Sequence, residues 1–233
     1  MRNVFMRKII VLILSLFLWA GAHAQMNYLK KGNKLIYFGI SLGVNYGDYK
    51  VIRKPKLNSF NTDSVKLISS KFGPGFDLGI IGNLQFHKYM DFRFVPTLSF
   101  SDKSIEFTDI NNVVVKKTIP SIYLSMPFYF RYKSKPIKDF RFFVLAGIRY
   151  NYDLNSNSNE RNAESQIIVN KHDVGFEMGF GFQIFFPSFV MSPEIKVYRS
   201  FTNIKQPNPE LIYSRAIDKM FSRIFTLCIN LEG

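Results

Sequence analysis

Apolar residues alternate with small or polar ones along most of the chain. Ile36, Phe38, Ile40, Leu42, Val44 and Tyr46 interleave with Tyr37, Gly39, Ser41, Gly43, Asn45 and Gly47. Successive side chains of a β-strand point to opposite faces, so a period of two predicts a strand with one greasy side. The pattern returns at Phe76, Leu78, Ile80, Leu84 and Phe86, at Phe92, Phe94, Leu98 and Phe100, and at Ile122, Leu124, Met126, Phe128 and Phe130. It continues at Phe140, Phe142, Val144, Ala146, Ile148 and Tyr150, then at Phe176, Met178, Phe180 and Phe182. Met191, Ile195 and Val197 open a seventh strand, and Phe225, Leu227, Ile229 and Leu231 an eighth.

Eight is an even number, as bacterial outer-membrane barrels require. The links also alternate: those near 52–72, 101–119, 155–172 and 199–219 are long, and those near 87–91, 133–139 and 186–188 are short. Long outer loops and short periplasmic turns are the habit of such barrels, and this order puts both chain ends on the periplasmic side.

The chain starts with Arg2, Arg7 and Lys8, continues as an apolar run from Ile9 to Ala20, and reaches Ala22-His23-Ala24 before Gln25. That layout predicts a cleavable signal over 1–24, because the run is too short to span a bilayer as a helix. Residues 25–34 are expected as a short periplasmic segment and 35–233 as the barrel. No later segment approaches ~18 continuous apolar residues, so a membrane fold must be a closed sheet.

A soluble eight-stranded barrel with a greasy interior has the same period. Glycine separates the two. A face turned to water should carry Lys, Glu and Thr, whereas the second face here carries Gly39, Gly43, Gly79, Gly147, Gly175, Gly179 and Gly181. Small residues suit a crowded lumen. Asp77, Arg93, Arg131, Arg141, Arg149, Glu177, Glu194 and Lys196 share that face, and charge turned toward lipid costs ~2–4 kcal/mol each at the midplane. They are expected to form a packed ion-pair network that fixes register and fills the lumen. The fold class is therefore all-β, an eight-stranded antiparallel transmembrane barrel of the outer-membrane type.

Composition alters this picture little. The formal charge of +14 falls to +11 with the loss of Arg2, Arg7 and Lys8. An exported basic protein meets no nucleic acid, so its charge faces anionic lipid or partner proteins. Cys228 is the only cysteine, which excludes an internal disulfide and leaves it as a small residue on a strand. Tyr46, Tyr49, Tyr132, Tyr150 and Tyr152 read as anchors at the membrane borders.

The stretches TDSVKLISSKFGPGFDLGIIGNL, DFRFVPTLSFSDKSIEF, SIYLSMPFYFRYKS, FFVLAGIRYNYDL, VGFEMGFGF and SPEIKV together resemble the PorT family of outer-membrane proteins. The resemblance runs from about Leu35 to Leu231. It implies a non-enzymatic component of the type IX secretion system of Bacteroidetes, linked in some members to gliding, with other secretion-machinery proteins as partners. The chain ends Leu-Glu-Gly, not in the terminal Phe that many barrels offer to their assembly machinery.

Other chemistry is thin. His172 beside Asp173 is the histidine placed for rim catalysis of the lipid-modifying kind, but no serine stands at a spacing that supports a nucleophile. His87 falls in a periplasmic turn. Two distant histidines and scattered carboxylates give no metal cluster, and no cofactor is called for. Recognition is expected in loops. Apolar residues flank Asn111-Asn112, so strands three and four are expected to continue as a hairpin above the membrane. Asn208 and Pro209 are placed to start a short helix carrying Leu211, Ile212, Ala216 and Ile217, a possible docking face or a lid. Arg53, Lys54 and Lys56 form one basic group, facing lipid phosphate; Lys133, Lys135 and Lys138 form another, facing an acidic periplasmic partner. The expected function is an accessory of protein secretion, with adhesion or membrane anchoring as the alternative and lipid modification as a third reading.

Overall fold

The computed structural model describes residues 34–53, 65–109, 114–155, 169–205 and 217–233. The expected signal and all but Lys34 of the expected periplasmic segment lie outside them. The described residues form ten strand segments: β1 (Ile36–Arg53), β2 (Val65–Lys71), β3 (Gly73–His87), β4 (Met90–Phe94), β5 (Thr97–Asp109), β6 (Val114–Lys133), β7 (Phe140–Asp153), β8 (His172–Phe185), β9 (Val190–Ser200) and β10 (Ile217–Glu232). β2 and β3 are one barrel strand broken at Phe72. β4 and β5 are another, broken at Val95-Pro96, where proline has no N–H to give the ladder. All neighbours are antiparallel, and β1 closes the ring by pairing with β10 on one side and β3 on the other. This gives eight barrel strands closed into a ring, the form that lets a wall in hydrocarbon pair its backbone groups internally.

The orientation of the faces is unambiguous. Phe38, Ile80 and Phe130 are 66%, 65% and 63% exposed, while Asn45, Arg93, Ser99 and Glu177 on the alternate positions are 0% exposed. A water-soluble barrel buries its greasy face; this one turns it outward, toward lipid.

Of the expected long loops, 101–119 is largely strand, and 52–72 is strand at its described ends. β2 runs into the 52–72 link, and β5 and β6 carry the sheet through 101–119 up to the pair Thr108–Val114. The loop reading stopped at the edge of the apolar band, but alternation goes on beyond it in a polar register. The expected hairpin therefore stands above the barrel, its tip, 110–113, lying outside the described residues. β6 meets β7 only from Tyr123 downward, so 114–121 are paired on the β5 side alone among the described residues. At the other end the turns are short. Lys138 takes a left-handed φ of 54° between Ile137 and Phe140, which bridge each other.

Candidate functional site

The lumen is filled in layers, and those layers decide what the barrel can do. At the periplasmic end, β4 and β6 each send two charged residues inward from alternate positions: Asp91 and Arg93, Arg131 and Lys133. Arg131 Nε donates to Asp91 Oδ1 at 2.9 Å, Lys133 Nζ lies 3.0 Å from Asp91 Oδ2, and the Tyr37 hydroxyl donates to Asp91 at 2.6 Å. Arg93 donates to both Glu194 on β9 and Glu232 on β10, and to Asn83 Oδ1 at 2.7 Å. Arg131 Nη1 lies 3.5 Å from Glu232. Three acids thus face three bases. Burying ions is tolerable only with near-complete pairing, and this cluster is neutral by count. It ties six barrel strands into one register, through Tyr37, Asn83, Arg93, Arg131, Glu194 and Glu232.

Above it lies an apolar cluster of Ile81, Val95, Tyr129, Phe143 and Leu145, with the Arg131 guanidinium 4.8 Å from the Phe143 ring centre. A second polar layer follows. Arg149 lies 3.4 Å from Glu177, donates to Asn151 at 2.7 Å and to Ser125 at 2.8 Å, while the Tyr129 hydroxyl donates to Glu177 at 2.8 Å. The Asp173 carboxylate accepts from Tyr198 at 2.9 Å.

The outer mouth is closed differently. Lys103 donates to Ser222 Oγ at 2.7 Å and lies about 5 Å from two aromatic ring centres, 5.0 Å for Tyr49 and 4.8 Å for Tyr123. Over it sits an apolar lid of Tyr49, Ile105, Val169, Ile204, Ile217 and Met220. Val169 and Lys205 form a bridge that holds the loop ends in place, and Lys205 Nζ donates to the Ile217 carbonyl at 2.5 Å. A cleft of 20 Å³, room for about one water, opens at the opposite end beside Tyr37, Lys133, Arg141 and Glu232.

Lumen glycines make this crowding possible. A Cβ on Gly175 would stand 2.6 Å from the Tyr198 ring, and one on Gly181 would stand 2.7 Å from Phe143 Cζ. The large rings lie across the bare backbone of the neighbouring strand.

The eight expected lumen charges all point inward, but they do not form one network. Arg93, Glu194 and Arg131 belong to the lower cluster, and Arg149 and Glu177 to the upper. Asp77 accepts from Asn45 Nδ2 at 2.7 Å, and Lys196 lies 5.6 Å from the centre of the Tyr129 ring. Arg141 donates to the backbone carbonyls of Ser134 and Lys88, bracing two periplasmic turns.

Three surface readings are corrected. Lys133 is not a solvated docking lysine: it is 1% exposed and bound to Asp91, because it keeps the inward parity of Arg131. Lys135 and Lys138 are exposed, as expected. Ile217 is the first residue of β10 and lies under the lid at 0% exposure, so it is no free docking residue, while Leu211 and Ile212 lie outside the described residues. Tyr49 points into the lumen rather than to a membrane border, since β1 continues unbroken past Gly47. His172 shares a 2.7 Å hydrogen bond with the Tyr150 hydroxyl on the outer face.

The expected lumen network left out Asp91, Glu232, Lys103 and Asp173, although Glu232 falls on the polar face of the eighth strand. Each had a signal in its parity: Asp91 is two residues before Arg93, and Glu232 continues the polar face of Thr226, Cys228 and Asn230.

The sequence profile of a family described as outer membrane protein beta-barrel domain matches residues 23–206. No curated protein sequence matches the chain. Among solved structures, OprG from Pseudomonas aeruginosa is similar over 84% of this chain and 92% of its own, at 10% identity and a TM-score of 0.48. Neisserial surface protein A is similar over 83% and 95%, at 10% identity and a TM-score of 0.43. The attachment invasion locus protein Ail of Yersinia pestis, solved with the heparin analogue sucrose octasulfate, is similar over 86% and 100%, at 13% identity and a TM-score of 0.38.

Proposed function

We propose, from the premise that this chain belongs to the outer membrane protein beta-barrel domain family and resides in the outer membrane, that it is a closed, non-enzymatic anchor presenting a β-sheet surface outside the cell for attachment. The observation that carries this is the contrast between lumen and rim. The lumen is blocked at both ends by packed side chains, whereas β2, β5 and the upper part of β6 extend the wall outward as a three-stranded wing. Residues 114–121 of β6 offer an edge whose backbone groups face no strand on the β7 side among the described residues. An open edge is a template for strand addition. Lys116, exposed along it, guards against indiscriminate self-pairing.

The experiment shortens the wing and leaves the barrel. Ile105 and Lys117 are cross-strand partners, so replacing residues 106–116 by Asn-Gly closes a tight hairpin below the tip. The expected outcome is normal insertion, read as heat-dependent gel mobility, with loss of attachment to a sulfated polysaccharide surface or host-cell layer. Attachment unchanged in the shortened protein rejects the reading.

A second reading is favoured by the ordered run of segments from TDSVKLISS through RFVPTLSF to SPEIK, which resembles the PorT family: an accessory of protein secretion, whose wing docks other secretion-machinery proteins. Deleting the gene then traps unprocessed secreted proteins in the periplasm, an effect that attachment does not predict.

A further inference from the structure

Arg199 on β9 and Arg223 on β10 are direct cross-strand partners on the lipid-facing side of the wall. Side chains in that relationship stand about 5 Å apart at Cβ, and like charges so placed repel. Arg223 is held by Asp48 on β1, its own partner on the other flank. Arg199 is exposed and has no carboxylate partner among the described residues. The same patch continues with Lys50 opposite Phe221 and Lys219 opposite Ile52. On the outward positions from Tyr46 to Lys50, Val197 to Phe201 and Lys219 to Phe225, four are cationic and Asp48 is the acid. Elsewhere on the rim the balance differs: Asp102 is exposed on β5, and Lys71 is paired with Glu106 at 3.6 Å.

Height on the wall matters as much as charge. Arg199 and Arg223 lie one outward position beyond an apolar rung formed by Tyr46, Val197 and Phe225, which are 48%, 50% and 41% exposed, and Lys50 lies two beyond it. Phe225 pairs with both Tyr46 and Val197, so the rung is continuous across the three strands. Below it run Val44, Ile195 and Leu227, facing hydrocarbon. An unpaired arginine in this position meets the headgroup layer of the outer leaflet, where the anion at hand is phosphate. A planar guanidinium with several donors suits that group.

We propose that Lys50, Arg199 and Arg223 form a site for an outer-leaflet lipid carrying a phosphomonoester, with its acyl chain on the Tyr46–Phe225–Val197 rung. The phosphate screens the Arg199–Arg223 repulsion that Asp48 relieves on one side only. The site occupies one flank, so lipid is ordered on the β9–β10–β1 side of the barrel and the wing on β5–β6 stays clear of it.

The test uses the full folded protein in mixed micelles or nanodiscs, with phosphatidic acid as the phosphomonoester probe and phosphatidylcholine of the same chain length as the reference. Bound lipid is counted by native mass spectrometry. The variant is Lys50→Gln/Arg199→Gln, which spares the Asp48–Arg223 pair and alters only exposed side chains. The control is Lys88→Gln/Lys135→Gln, which removes two exposed cations at the opposite end. Both are checked for barrel mobility on gels. The expected result is a preference for phosphatidic acid that falls on the order of ten-fold in the first variant and persists in the control. No preference in the native protein overturns the proposal. So does an equal fall in both variants, which indicates diffuse attraction, or no fall in the first, which leaves the patch to an acidic protein segment.

Discussion

Arg93 and Glu232 are 139 residues apart in the chain and joined inside the barrel by an ion pair in which both side chains are 1% exposed. The contact links the third barrel strand to the last, across the lumen. Arg93 also holds Glu194 on β9, so one guanidinium satisfies two carboxylates. Such a group has little freedom to be lost singly, because its removal strands buried charge.

Arg93→Met is therefore expected to cost about 3–5 kcal/mol in urea unfolding from lipid or detergent. Glu194 is left with the weak thiol of Cys228, 3.8 Å away, and the nearby charge of Lys196, while Glu232 keeps Arg131. Combining Arg93→Met with Glu194→Met removes the stranded acid, so the double variant should cost less than the two single effects added. Strict additivity would place Glu194 outside the cluster.

The periplasmic lysines separate into two kinds. Lys133→Glu sets a second acid beside Asp91 in the lumen and should lower stability by several kcal/mol, or prevent assembly, as gel mobility and urea titration will read. Lys135→Glu lies on an exposed turn and should stay within about 0.5 kcal/mol of the native protein. Loss of partner capture by a variant that includes Lys133 thus reports on folding, and only the Lys135 change tests an acidic periplasmic partner.

Glycines on the lumen face are not equivalent. At Gly175 a Cβ meets the Tyr198 ring and also presses on the Arg199 carbonyl, a backbone atom that must shift with its strand. At Gly47 it meets the Lys103 stem at 2.8 Å and the Ser101 hydroxyl at 3.0 Å, both of which can turn aside. Gly175→Ala should therefore cost about 1–3 kcal/mol or more, and Gly47→Ala clearly less. Thermal melts of the two folded variants decide it, and the reverse order would contradict the packing.

Much of the barrel was legible because one rule governs the wall. Parity alone told Phe130 from Arg131 and Phe180 from Glu177, and the same parity carried Asp91, Lys133 and Glu232 inward once their strands were extended. The misreadings came beyond the lipid band: Tyr49 reads as a membrane-border anchor and Ile217 as part of a short helix, yet both lie on strands that continue where no run of Phe and Leu marks them. Which charges pair was not legible. Asp91 meets Lys133 and Arg131 as a cross-strand neighbour, but Arg93 finds Glu232 only because the ring closes, and closure is a property of the whole sheet. The outward cations Arg199 and Arg223 were likewise invisible, because their opposition depends on the β9–β10 register.

The two closures of the lumen predict its electrical behaviour. A small eight-stranded barrel has an interior just wide enough for side chains to fill it, and here apolar groups fill the outer mouth while paired ions fill the inner one. Planar bilayers containing the native protein should show no sustained open steps. Val169→Ser/Ile204→Ser weakens the lid, yet Arg93, Arg131, Asp91 and Glu232 still cross the lumen below, so that variant too should stay closed. Its stability should fall, since two buried apolar side chains are truncated and two hydroxyls are left in an apolar setting. Conductance that appears with the lid variant alone would show that the ion cluster parts under voltage and that the lid is the true seal.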